Sequence, residues 1–200
     1  MTRLAFSLAK LAMPAIMLAG LPACGAKAGG LEPTISGEVT APDGAGSVLT
    51  EFVKVCAPVV VDDAQPGEVL AANGWEMPST SEVENMARAG TMAAEKADLF
   101  LSAQVTPIDF PHLQGVTCMV NVLDKATVSD VDLSGLEGVN GFIGDTESYG
   151  DAGPELGRWS GVAADGQVIT IYAMKVSDGR YLTLSMNKSK PVQPAPNDAQ

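Results

Sequence analysis

The sequence predicts an α+β domain, and three observations carry that expectation. Apolar residues recur at helical spacing from residue 47 onward, alternation with a period of two takes over at 116–122, and the last third holds strand-like segments separated by Asp165-Gly166 and Asp178-Gly179. Helices first and antiparallel strands afterwards is the order of a fold with two or three N-terminal helices packed on an antiparallel sheet, here ending in a three-stranded meander.

Each element has its own signal. Val48, Leu49, Phe52, Val53 and Cys56 fall on one face of a first helix, with Ser47 as N-cap and Pro58 as stop. A second helix is marked by Pro66 in its first turn, by Val69, Leu70 and Ala71, and by an Asn73-Gly74 C-cap, after which Trp75 folds back onto the core. A third opens at the capping box Ser81-x-x-Glu84 and aligns Val83, Met86, Ala87, Gly90, Ala94 and Ala97 along one stripe, so its end is expected near residue 97. In the strand 116–122, Val116, Cys118, Val120 and Val122 point inward, with residues 99–105 as hairpin partner across a loop at 106–115. Residues 129–153, rich in Gly and acid, read as a short helix and an exposed loop. The meander follows as 158–163, 167–176 and 180–187, because Asp-Gly tolerates the positive φ of tight hairpin turns.

The ends of the chain differ in character from this domain, which is expected to span residues 47–189. Residues 1–23 have the build of a secretory signal: Arg3 and Lys10 precede an apolar stretch that ends in small residues. That stretch contains Pro14 and Pro22 and is shorter than the roughly 20 apolar residues a membrane-spanning helix needs. Residues 24–46, with eight Gly or Pro at positions such as Gly29, Gly30 and Pro42, read as a flexible linker, and 190–200 as a disordered tail.

Leu21-Pro22-Ala23-Cys24-Gly25 resembles the lipobox of bacterial lipoproteins, with Pro22 departing from the small or aliphatic residue usual two places before the Cys. The resemblance implies a lipid on Cys24 and a tether to a membrane, with Gly25 favouring the outer membrane; two or more acyl chains suffice for stable anchoring. Ordinary cleavage after Ala23 or Ala26 is the alternative. Either way Cys56 and Cys118 remain as a pair in an oxidising compartment, and a disulfide between them is expected. It would close a loop of about 63 residues, worth roughly 4 kcal/mol on the chain-entropy account. A metal or redox site at the pair is the weaker reading, since only His112 could join the two thiols without recruiting carboxylates and no C-x-x-C occurs.

A wider resemblance rests on Phe52-x-x-Val55-Cys56, on Gly74-Trp75 and on Val116-x-Cys118-x-Val120. This order, over about residues 47–123, is similar to small exported proteins of α-proteobacteria that have no assigned activity. It implies a fold and a disulfide, and nothing catalytic.

Composition narrows the chemistry further. Twelve basic against 24 acidic residues give a formal charge of -12, a sign that repels nucleic acid and anionic lipid headgroups. One His and three Cys leave few parts for acid/base, metal or nucleophile chemistry. Asp130-x-Asp132-x-Ser134-Gly135 matches the first half of a calcium loop, but its twelfth position is Gly141 where a bidentate Glu should close the cage; Glu137, Asp145, Glu147 and Asp151 could complete another geometry. Ser185-x-x-Lys188 matches the S-x-x-K of penicillin-recognising enzymes, yet on a strand these two side chains point to opposite faces. His112, following Asp109 and preceding Cys118, suggests a thiol enzyme only if Cys118 is free, and otherwise reads as a surface loop residue. Trp75, Trp159, Tyr172 and Tyr181 are either a ligand platform or, more economically, large fillers of the core.

The expectation is therefore an exported, lipid-tethered, disulfide-bonded envelope protein without catalytic residues or cofactor, acting as a binding or accessory module. A hydrolase using carboxylates such as Asp109 or Asp151, and a calcium-dependent binding module, are the alternatives.

Overall fold

In a computed structural model, residues 34–35, 38–77, 90–146, 154–176 and 180–192 are described, all within one compact unit that runs from Leu31. The signal segment, Cys24, the capping box at Ser81, and Glu147, Asp151 and Asp178-Gly179 lie outside the described residues.

Among the described residues, two helices come first, α1 (Ser47–Val60) and α2 (Pro66–Ala72). Strands β1 (Met92–Lys96), β2 (Leu101–Phe110) and β3 (Leu113–Val122) follow, then a short α3 (Lys125–Ser129), β4 (Ile143–Asp145), β5 (Glu155–Val162), β6 (Val168–Val176) and β7 (Tyr181–Pro191). The strands form one seven-stranded sheet in the order β1-β2-β3-β7-β6-β5-β4, every neighbour antiparallel. The class is α+β, and the meander β5-β6-β7 is present. It is half of a larger sheet, because β7 pairs along its length with β3 of a second meander, from Leu113↔Pro191 to Val122↔Leu182.

The amphipathic reading of α1 holds: Val48, Leu49, Phe52, Val53 and Cys56 are buried. Its ends differ from expectation. Gly46 occupies the N-cap position in place of Ser47, and Pro58 lies inside the helix, which continues to Val60. A proline removes one backbone hydrogen bond and crowds the carbonyl four residues earlier. Here that carbonyl belongs to the exposed Lys54, where water can satisfy it, while Val59 and Val60 beyond are fully packed. The second helix ends as expected, with Gly74 at φ +73 and Trp75 buried.

Four further expectations are corrected. The stripe expected to carry a third helix to residue 97, whose start lies outside the described residues, is not helical from Gly90 on: Gly90 takes φ +75 and Met92–Lys96 pairs with β2 as a strand. The loop at 106–115 is strand as far as Phe110 and again from Leu113, leaving a two-residue turn at Pro111-His112. The short helix expected in 129–153 is present as a helical turn at Leu133–Leu136, but the described remainder, up to residue 146, is not simply an exposed loop, because Leu136, Val139 and Phe142 are buried in the core and β4 extends the sheet. In the stretch read as a linker, Ile35 and Val39 are buried too, and the Ile35 N–H donates to the Val162 carbonyl at 2.7 Å.

The core lies between α1 and one face of the sheet. Leu101, Ala103 and Val105 of β2, Cys118, Val120 and Val122 of β3, Ile169, Ile171 and Ala173 of β6, and Leu182, Leu184 and Met186 of β7 all point into it, joined by a fully buried Trp159. Alternation along the middle of these strands leaves the intervening residues on the opposite, open face.

Candidate functional site

At the centre of the core, Cys56 on α1 and Cys118 on β3 form a disulfide, with Cα atoms 5.4 Å apart and both residues fully buried. The bond ties the helical layer to the middle of the sheet, so Cys118 is neither a nucleophile nor a metal ligand.

The other sequence candidates do not converge. Asp109 and His112 sit exposed around the β2–β3 turn, where His112 stacks on Phe110 with ring centroids 6.2 Å apart. Ser185 lies on the open face and Lys188 on the core face, as the strand reading requires. Trp75 and Trp159 fill the core, whereas Tyr172 lies half-buried on the open face beneath the Arg158 guanidinium, 4.7 Å from its ring, and Tyr181 is exposed. They form no common platform. In the calcium-like stretch, Asp132 is turned onto its own chain, accepting from the Ser134 N–H at 3.0 Å. Hydrogen bonds from the Ser134 hydroxyl and N–H hold its carboxyl below the usual carboxylate range. Among the described residues, no three His, Cys, Asp or Glu side chains come together as metal ligands.

Two charge clusters escape a linear reading. Lys188 continues the inward series Leu182, Leu184, Met186, and its side chain is only 5% exposed. Its ammonium donates to both carboxylate oxygens of Asp63, at 3.1 and 3.0 Å, and lies 3.7 Å from Asp165. Asp63 reaches it from just beyond α1, in a left-handed conformation with φ +54. Asp165 is held below the ordinary carboxylate range, first by the Gln167 N–H and then by the Lys188 ammonium. The second cluster joins Glu51 of α1 to Lys96 of β1 at 2.7 Å; the same ammonium donates to the Asn73 carbonyl at 3.0 Å and stands 5.9 Å from the Trp75 ring centre. Both lysines act as clasps between layers. The strand alternation at 182–188 is the signal that could have marked Lys188 as inward; Glu51 and Lys96 are 45 residues apart and carry none.

Among the described residues, two surfaces stand out as having room for a partner. A groove of about 660 Å³ runs between residues 38–45 and the outer side of α1, with Glu38, Asp43, Asp62 and Lys54 on its walls. The second surface is the open face of the sheet, whose middle is lined by hydroxyl and amide side chains. Thr183 donates to Asn121 at 2.8 Å and Asn121 to Ser102 at 3.3 Å, a chain of contacts that crosses β7, β3 and β2.

Comparison of the chain with protein-family models, with curated proteins and with solved structures finds no match.

Proposed function

We propose that this chain is an exported envelope protein, held to a membrane by lipid on Cys24, whose folded part is a non-catalytic binding or accessory module. The observation that carries the reading is the buried Cys56–Cys118 disulfide, a bond that belongs to an oxidising compartment and follows an N-terminus built like a lipoprotein signal. The assignment of the reactive groups supports it further. Both core cysteines are bonded to each other, Lys188 and Lys96 clasp layers together, and the carboxylates of Asp124 and Asp132 cap their own turns. Among the described residues, the groove along α1 and the open sheet face offer surfaces to a partner.

The test is the intact mass of the protein from membrane and periplasmic fractions of its host, with and without reduction before alkylation. The expected result is a chain that begins at Cys24, carries a lipid-sized addition and gains two alkylated thiols only after reduction. A lipid-free chain beginning at Lys27 would remove the anchor. Thiols at Cys56 and Cys118 that alkylate without reduction would remove the exported reading as well.

A further inference from the structure

The open face of the sheet has an unusual composition for so acidic a chain. On the four central strands β2, β3, β7 and β6, the positions that face away from α1 carry no charged side chain. The charged residues of these strands, Asp109, Lys175, Lys188 and Lys190, all fall on the alternate positions. Among the described residues, charge returns to the open face on the flanking strands, with Glu95 on β1, Arg158 paired to Glu155 on β5, and Asp145 on β4. A sheet face meant only for water normally carries Lys and Glu, which discourage association. This one carries Ser, Thr, Asn and Gln around a central Met119 in its middle, and large exposed apolar residues toward its margins. Phe110 is 57% exposed, Val168 50%, Val176 44% and Tyr181 39%, and Ile143 on β4 is 64% exposed.

From these observations we infer that the open face of the sheet is the self-association surface of this protein, and that two copies meet across it, sheet on sheet. Size is the first argument. Four strands about 4.8 Å apart and about ten residues long at 3.4 Å each present roughly 650 Å². The flanking Ile143 and Ser160 extend that area toward the ~800 Å² per partner of a stable interface. Charge is the second. Two chains of formal charge -12 repel wherever their acidic surfaces approach, and this face lets them touch without opposing like charges. Self-complementarity is the third. A two-fold interface sets one patch against its own copy, which fails for a patch of one charge sign but suits hydroxyl and amide groups that both donate and accept. The two sheets would pack about 10 Å apart, with the marginal apolar side chains closing around a polar middle.

The test is sedimentation velocity of the full chain purified from its host with the disulfide intact, in nonionic detergent if it carries lipid, across a concentration series. Three variants accompany it: Ser185→Glu in the middle of the face, Val176→Glu at its margin, and Lys125→Glu on the exposed first turn of α3, away from the face. The expected result is a dimer that both face variants weaken by about tenfold or more and that Lys125→Glu leaves intact. Circular dichroism and thermal unfolding of each variant check its fold, and the already exposed Val176 position keeps the test open should Ser185→Glu fail to fold. A wild-type chain that stays monomeric at every concentration would overturn the inference, whether or not a glycan or another protein binds the face. So would a dimer indifferent to both new charges on the face.

Discussion

Lys188 shows how one residue can be misread from its neighbours. As part of Ser185-x-x-Lys188 it suggests chemistry; in the fold it is a buried cation held by Asp63 and Asp165. Removing one partner of such a pair costs more than replacing the charge by an apolar side chain of similar length. Asp63→Asn should therefore destabilise the domain by about 1–3 kcal/mol, a figure reduced because Asp63 is 73% exposed, whereas Lys188→Met should come within about 1 kcal/mol of wild type in urea unfolding. A catalytic lysine would show the reverse, with Lys188→Met abolishing an activity while stability hardly mattered. Three carboxyls, Asp165 among them, make a pH prediction. Thr127 N–H and hydroxyl bonds hold Asp124 below the usual range, as the Ser134 groups do for Asp132 and the Gln167 N–H and Lys188 for Asp165. A carboxyl lowered on folding contributes stability above its unfolded value near 4 and loses it as pH falls through the lower folded value. The urea midpoint is thus expected to fall below about pH 4. A variant with all three changed to Asn, which keeps a capping oxygen, should show a shallower acid limb.

At the scale of elements, the segment between α3 and β5 decides how well β4 docks. Gly141 takes φ +82 beside Ile35, and a Cβ there would come within 2.8 Å of the Ile35 backbone, so both conformation and space demand glycine. Gly141→Ala should cost about 2 kcal/mol or more through backbone strain and the displaced Ile35, read as a fall in the urea midpoint at unchanged slope. Gly44 also has positive φ but open space around it, so Gly44→Ala should cost less, from conformation alone. The elements also show where periodicity fails as a guide. Gly90 and Ala94 fit a helical stripe, yet β1 forms because β2 offers a partner for its backbone and Ala93 and Ala94 are small enough to be buried. The exposed Pro107, Asp109 and Phe110 blur the inward–outward alternation of β2 near its tip, which is why that stretch reads as a loop.

For the whole molecule, the disulfide cross-links the helical layer to the sheet, and it spans 62 residues that include α2, β1 and β2. Changing both Cys56 and Cys118 to Ala should lower stability by about 2–5 kcal/mol and make the fold marginal at physiological temperature, measured by thermal unfolding against the oxidised wild type. An unchanged midpoint would mean that the packing of α1 alone determines the stability of the layer contact. The same two-layer plan explains the two faces of the sheet. One is committed to α1 and the disulfide, and the other is free of charge on its four central strands and open to a second copy.

The sequence by itself determined the helical face of α1, the Gly74-Trp75 turn, the β5-β6-β7 meander and the pairing of Cys56 with Cys118, because each rests on a local period, a turn residue or a count of two. Only the tertiary structure decided that β7 lies beside β3, and with it the seven-stranded sheet, the burial of Lys188 against Asp63, and the continuity of an uncharged face across four strands. Strand order is set by which edges meet after the chain collapses. Residues 60 to 125 positions apart, such as Asn121 and Thr183 or Asp63 and Lys188, leave no periodic trace of their contact in either segment.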